Sequence, residues 1–282
     1  MGARDLFAVP RTRVTTSEGP VEFPIFYHDL SGLFLNYFVD YVQVASLLAG
    51  TGLTPCRFFN GKSMVSLIFY EYRQTSIGAY NEATIVLMVR PEGEHQPVSN
   101  LVNFLRRSGA KWTMGGYVLE MPVTLPLARA AGREIWGYPK FETQIPFKMV
   151  GKRYEFSVLD PVTGEEIFSV RGSLGVGLGL GAFDFVTFSN HGDQVLKTII
   201  DVEGKFKVSL NKEVKLQIGP GNHRMAQHLR VLGFDRLAPF AVISTDRCRT
   251  RLNQGVSVRS WKTAPRPYPI QGEFETAAPA SS

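Results

Sequence analysis

Strand-length apolar runs follow one another at short spacing along most of this chain, and few stretches carry a helical period. Runs rich in β-branched and aromatic residues, cut by Gly, Pro, Asn and Asp, read as strands. Residues 21–28, 33–39, 64–72, 113–121, 142–149, 154–159, 165–170, 183–188 and 240–245 fit that description. The run 83–90 is apolar without interruption, which predicts a strand buried on both faces. Asn60-Gly61 between 56–59 and 64–72 predicts a tight hairpin, since a type I′ turn needs positive φ at both centres. Asp160–Gly164 and Glu203-Gly204 read as turns, the second separating strands 195–202 and 205–210. Helical spacing is confined to short pieces. They are 41–48 capped by Asp40, 98–107, 125–131 capped by Thr124 and closed by Gly132, and 223–232 stopped by Gly233. Many strands with few helices predict an α+β fold, a mainly antiparallel sheet curled into a barrel or cone with helices outside.

Composition narrows the class. A hydrophobic share of 44% in 282 residues is enough for a large core. Residues 1–20 read as a polar arm, 21–254 as one domain, and 255–282, rich in proline and small residues, as a largely disordered tail. The net charge of +6 is spread along the chain, with only Arg106-Arg107 and the span 247–251 clustered, so no nucleic-acid surface is predicted. Cys56 and Cys248 are too few for a disulfide framework or a closed zinc site and read as buried thiols. No histidine pair has helical ligand spacing, and no metal is predicted. The glycines from Gly175 to Gly181 alternate instead of following the dinucleotide fingerprint. The N-terminus has no long apolar segment, and no run is long enough to span a bilayer. A soluble, cytoplasmic protein is the expectation.

The stretch from Gly132 to Phe141, Gly-Arg-Glu-Ile-Trp-Gly-Tyr-Pro-Lys-Phe, places one lysine after an aromatic–proline step. An amine deprived of water sheds its proton more readily, by about 3–5 pKa units when fully buried, and can then attack a carbonyl carbon. Lys140 is therefore the candidate nucleophile. Trp136, Tyr138 and Phe141 are bulky enough to keep it dry.

This stretch resembles the active-site signature of the acetoacetate decarboxylase family. Two further pieces match in the same order: Gly78-Ala79-Tyr80-Asn81-Glu82, and Gly115-Gly116-Tyr117-Val118 with Met121 close behind. The resemblance runs from about Phe23 to Gly181. It implies a closed, cone-like barrel with an internal pocket, a homo-oligomer, Lys140 as imine-forming residue and Glu82 as pocket acid. Met121, Tyr117 and Tyr138 are implied pocket residues. The family's second lysine is replaced by Phe141, and its early arginine by Phe38, which makes both candidate substrate contacts. Arg73 is a candidate replacement for the lost carboxylate partner, with Glu71 a polar neighbour. Arg133 and Glu134 match family positions and are expected to fix the loop.

These residues predict a Schiff-base lyase that decarboxylates a β-keto acid without a cofactor, the imine serving as electron sink. The same imine would serve an aldolase or dehydratase acting on a 2-oxo acid, and a non-catalytic binding protein could keep the same pocket. The two phenylalanines predict a larger or more apolar substrate than acetoacetate.

Overall fold

The computed structural model describes residues 5–58, 60–94, 112–210 and 213–260. In chain order the first strands are β1 (Thr12–Thr16), β2 (Gly19–Phe23) and β3 (Ile25–Val39), followed by helix α1 (Tyr41–Leu47). Then come β4 (Leu53–Pro55), β5 (Ser63–Thr75), β6 (Tyr80–Pro91), β7 (Gly115–Val123) and helix α2 (Pro126–Trp136). Next are β8 (Lys140–Glu142), β9 (Phe147–Val150), β10 (Arg153–Leu159), β11 (Glu166–Ser173) and β12 (Leu178–Gly181). The last are β13 (Phe185–His191), β14 (Gln194–Ser209), β15 (Lys215–Ile218), helix α3 (Arg224–Val231), β16 (Ala241–Leu252) and β17 (Val256–Ser260).

Seven strands close a barrel in the order β6-β5-β3-β16-β14-β13-β7, with β7 returning to β6. Every pair in it is antiparallel except β13 with β7. A second sheet, β15-β11-β10-β9, lies apart from that ladder. The expected α+β barrel with peripheral helices is what the chain forms.

Both faces of the barrel wall are covered, and this explains the uninterrupted apolar runs. Val65, Leu67 and Phe69 of β5 and Ile85, Leu87 and Val89 of β6 point outward into a core shared with Phe156, Phe168, Met225 and Leu229. Their alternates, Ser66, Ile68, Thr84, Val86 and Met88, point into the barrel. One irregularity changes this alternation on β7. Ile85 pairs with Glu120 but Val86 pairs with Val118, which leaves Leu119 as a bulge. An extra residue re-aims the side chains after it. Val118 and Met121 therefore both face inward while Glu120 faces outward.

Several sequence expectations are corrected. The two strands expected over 195–202 and 205–210 are one long strand, β14 (Gln194–Ser209), in which Gly204 marks a register shift against β16 instead of a turn. Asn60-Gly61 does form a tight turn, with Gly61 at φ +75° and Phe58 and Lys62 bonded across it, but β4 pairs with β6 and no β4–β5 hairpin exists. Helix α2 runs through Gly132 to Trp136, and Thr124 does not cap it; its hydroxyl accepts the Asn81 N–H instead. The N-terminal arm contains the β1–β2 hairpin, and the segment after Gly255 contributes β17 to the edge of β14. The helix expected over 98–107 lies outside the described residues. Among the described residues no helix is long and apolar enough to cross a membrane.

Candidate active site

Lys140 is presented by a short sequence of local events. Helix α2 starts at Pro126, whose missing N–H is harmless in a first turn. It stops at Gly137, which adopts the left-handed conformation at φ +67°. The Gly137 and Tyr138 N–H groups then bond back to the carbonyls of Arg133 and Gly132. Pro139 holds Tyr138 away from helical angles, and Lys140 opens β8, paired in parallel with Met121 of β7. Gly132, inside the helix, lies directly against the lysine stem. A Cβ built there would come within 2.6 Å of Lys140 Cε and closer still to Cδ. The signature glycine is therefore a matter of room for the lysine, not of helix termination.

The amine reaches the barrel interior, with Lys140 only 5% exposed. It does not face Glu82 across an open gap. Lys140 Nζ donates to Glu82 Oε2 at 2.7 Å, and Glu82 is 4% exposed. The lysine is thus dry, as the sequence implies, but it is directly partnered. The other carboxylate oxygen accepts from Tyr72 Oη at 3.1 Å. Tyr80 offers its ring face to the ammonium, 5.7 Å from the centroid. Its hydroxyl lies 3.2 Å from that of Tyr27. Burial, followed by the negative charge of Glu82, pushes the phenols of Tyr27 and Tyr72 well above the ordinary tyrosine value. Burial also pushes Tyr138 up to about 12. These phenols remain neutral hydroxyls at physiological pH, able to donate but not to compete as anions.

The pair sits in a cavity of about 380 Å³ that fills the barrel. Its wall is mostly apolar: Leu30, Phe34, Ile68, Val86, Phe185, Phe206 and Ile243 all contribute. Among the described lining residues, Lys140 is the sole cation and Glu82 the sole anion. Removing one member of a buried pair costs about 3–5 kcal/mol, so the site holds both or neither.

The expected pocket residues divide. Lys140, Glu82, Met121 and Tyr138 line the cavity, and Tyr138 Oη is fixed 2.6 Å from Thr187 Oγ1. Tyr117 and Phe141 do not, because they fall on the opposite strand face and pack in the outer core, Phe141 against His223. Phe38 stacks on Phe240, which lines the cavity, but is itself one step beyond the wall. Arg73 lies on the outside, held by both oxygens of Asp29 and by Glu71, so neither Arg73 nor Glu71 can meet a substrate carboxylate. Glu134 bonds to Ser17 of the β1–β2 hairpin, tying α2 to the N-terminal strands. Sequence reasoning missed Tyr72, Tyr27 and the positioning role of Gly132. Tyr80 and Glu82 are two apart on one strand and so share a face, a signal that was available.

A second buried acid serves another purpose. Glu120 is fully buried outside the barrel, where Arg224 of α3 grips both its oxygens at 2.7 and 2.9 Å and His228 Nδ1 lies 2.8 Å away. Burial alone would raise its pKa, but the hydrogen bonds from His228 and Arg224 hold it below the usual carboxylate value.

The acetoacetate decarboxylase family model matches residues 8–208. Among solved structures, the chain is similar to acetoacetate decarboxylase from Legionella pneumophila subsp. pneumophila str. Philadelphia 1. There the identity is 17%, 91% of this chain and 94% of that chain are covered, and the TM-score is 0.64. The enduracididine biosynthesis enzyme MppR, solved with pyruvate, gives 14% identity over 84% of this chain and 91% of that one, with a TM-score of 0.59. An acetoacetate decarboxylase-like enzyme from Sphingomonas wittichii RW1 gives 11% identity, 84% and 93% coverage and a TM-score of 0.58. No curated protein sequence matches the chain. At such identities the structural likeness speaks to fold, but the family match spans well over half of the chain and includes Glu82 and Lys140. This chain belongs to the acetoacetate decarboxylase family.

Proposed function

We propose that the protein is a Schiff-base lyase that decarboxylates a β-keto acid, with Lys140 as nucleophile and Glu82 as proton carrier. The observation that supports this is the buried Lys140–Glu82 contact inside an apolar cavity. Glu82 takes a proton from the ammonium along the 2.7 Å hydrogen bond, which frees the nitrogen lone pair. The amine attacks the ketone carbon, and Glu82 returns the proton as water leaves. The resulting iminium nitrogen accepts the electron pair of the bond to the carboxylate, and carbon dioxide departs. The enamine carbon then takes a proton drawn from water, directly or relayed through Glu82, which is a carboxylate again once the first water has left. Water adds to the imine and releases a methyl ketone and the free lysine. No cofactor enters the scheme.

The charge pattern of the cavity favours this reading over one that retains the carboxylate. With no second cation among the described lining residues, a bound carboxylate is poorly stabilised, and its loss as neutral carbon dioxide removes the unpaired charge. The aldolase or dehydratase reading would need such a partner for the acid it keeps. Borohydride added with a β-keto acid tests the scheme. Reduction should fix the ketone skeleton on Lys140, and carbon dioxide should be released without borohydride. An adduct with pyruvate and condensation with an aldehyde, but no carbon dioxide, would support the aldolase. No adduct with any carbonyl compound would leave a binding protein.

A further inference from the structure

We propose that the natural substrate carries an unbranched apolar tail of about ten carbons, threaded along the barrel from Lys140 toward the end marked by Met64, Met88 and Phe240. The position of its carbonyl rests on the Schiff-base reading; the tail rests on the cavity. The lining residues of β6, Glu82, Thr84, Val86 and Met88, form one continuous row. Six residue steps separate the first from the last, about 20 Å of strand at ~3.3 Å per residue. Strands in closed barrels tilt by roughly 35–45°, so the axial length is about 15 Å. An extended carbon chain advances roughly 1.25 Å per carbon, from bonds of about 1.5 Å at tetrahedral angles, and about twelve carbons fill that length. Volume gives a similar count: 380 Å³ at about 30 Å³ per water-sized group holds about a dozen groups. At the far end the wall includes Phe240, a side chain 37% exposed. A four-carbon acid would leave most of this apolar space empty.

The test uses 2-alkanones of four to sixteen carbons as neutral probes, with binding to the intact protein measured by calorimetry. Affinity should rise about fourfold per added carbon, as expected for burying one methylene, and level off near about twelve carbons. Val86→Trp places a bulky ring part-way along the row and should move the plateau to about eight carbons. Ile243→Trp, on a different strand, should also shorten it and serves if the first variant does not fold. Equal affinity across the series overturns the proposal, and so does a steady rise that neither variant alters. Borohydride trapping on the same samples separates the two readings. Length dependence without a Lys140 adduct keeps the channel and removes the lyase, whereas an adduct with no length dependence does the reverse.

Discussion

Gly132→Ala tests whether the lysine is positioned by the helix beneath it. A new Cβ would lie 2.6 Å from Lys140 Cε and 3.1 Å from Cγ, whereas carbon atoms settle at about 3.5–4.0 Å. The stem must retreat by about 1 Å. That carries Nζ from 2.7 Å to about 3.7 Å from Glu82, past the range of a useful hydrogen bond. A displacement of about 1 Å from a reactive geometry costs roughly 10²-fold in rate. Stability should change far less. Alanine is favoured over glycine inside a helix by about 1 kcal/mol, which offsets part of an overpacking cost of about 1–3 kcal/mol. The lysine stem is flexible and can yield. The expected outcome is a protein that melts within a few degrees of the parent but forms the borohydride-trappable adduct about a hundred times more slowly. Intact-mass analysis over time measures the adduct, and circular dichroism the melting. An adduct rate within threefold of the parent, in a folded variant, would refute the view that Gly132 exists to make room for the lysine.

Lys140→Met should abolish the adduct and lower stability by about 3–5 kcal/mol, because Glu82 is left buried without its partner. Adding Glu82→Leu to it should recover much of that loss in a denaturant titration. Glu82→Gln alone should slow imine formation by about 10²–10⁴-fold, the usual reach of general acid–base catalysis, as read by trapping kinetics. Arg73→Ala should leave trapping kinetics unaltered within about twofold, since the guanidinium is outside the cavity; a large loss would mean it reaches the substrate. Glu120→Gln should be most damaging near neutrality. The folded-state pKa of Glu120 is depressed, so its contribution is present above the ordinary value of about 4.3 and is lost as pH falls through the lower folded value. The stability gap between parent and variant, measured by urea unfolding, should therefore shrink between pH 7 and pH 3.

The strands were legible because hydrophobic runs report burial, and both faces of this barrel wall are buried. Which face a given residue takes was less legible. Simple alternation along β7 from Val118 would place Glu120 in the cavity, and only the bulge at Leu119 turns it outward. Phe141 and Tyr117 were misplaced for the same reason, since a family motif gives neighbours in sequence and not sides of a sheet. Arg73 fits the composition of a carboxylate partner, but its nearest ions, Asp29 and Glu71, come from the outer surface. The lysine itself was legible through the likeness of its Gly132–Lys140 stretch to the family signature, since a Pro-Lys step alone fits a surface lysine equally well, while its direct contact with Glu82 required the pairing of β6 to β7 and of β7 to β8. That contact joins positions fifty-eight residues apart, and no local pattern encodes it.

The two buried carboxylates show why burial alone does not mark a reactive acid. Glu120 is gripped by Arg224 and flanked by His228, with α3 closed over it. An arginine does not give up its proton, so the stronger of those contacts cannot pass one along, and the anion is held in place. Glu82 meets an amine and a phenol, and an amine, unlike a guanidinium, can release its proton to the carboxylate and become a nucleophile by doing so. In the proposed reaction a single proton moving along one hydrogen bond would convert Lys140–Glu82 from an ion pair into a neutral amine beside a carboxylic acid. The first arrangement fastens a helix to the barrel; the second can begin a reaction inside it. The difference lies in the chemistry of the partner and in which side of the β7 bulge the strand presents.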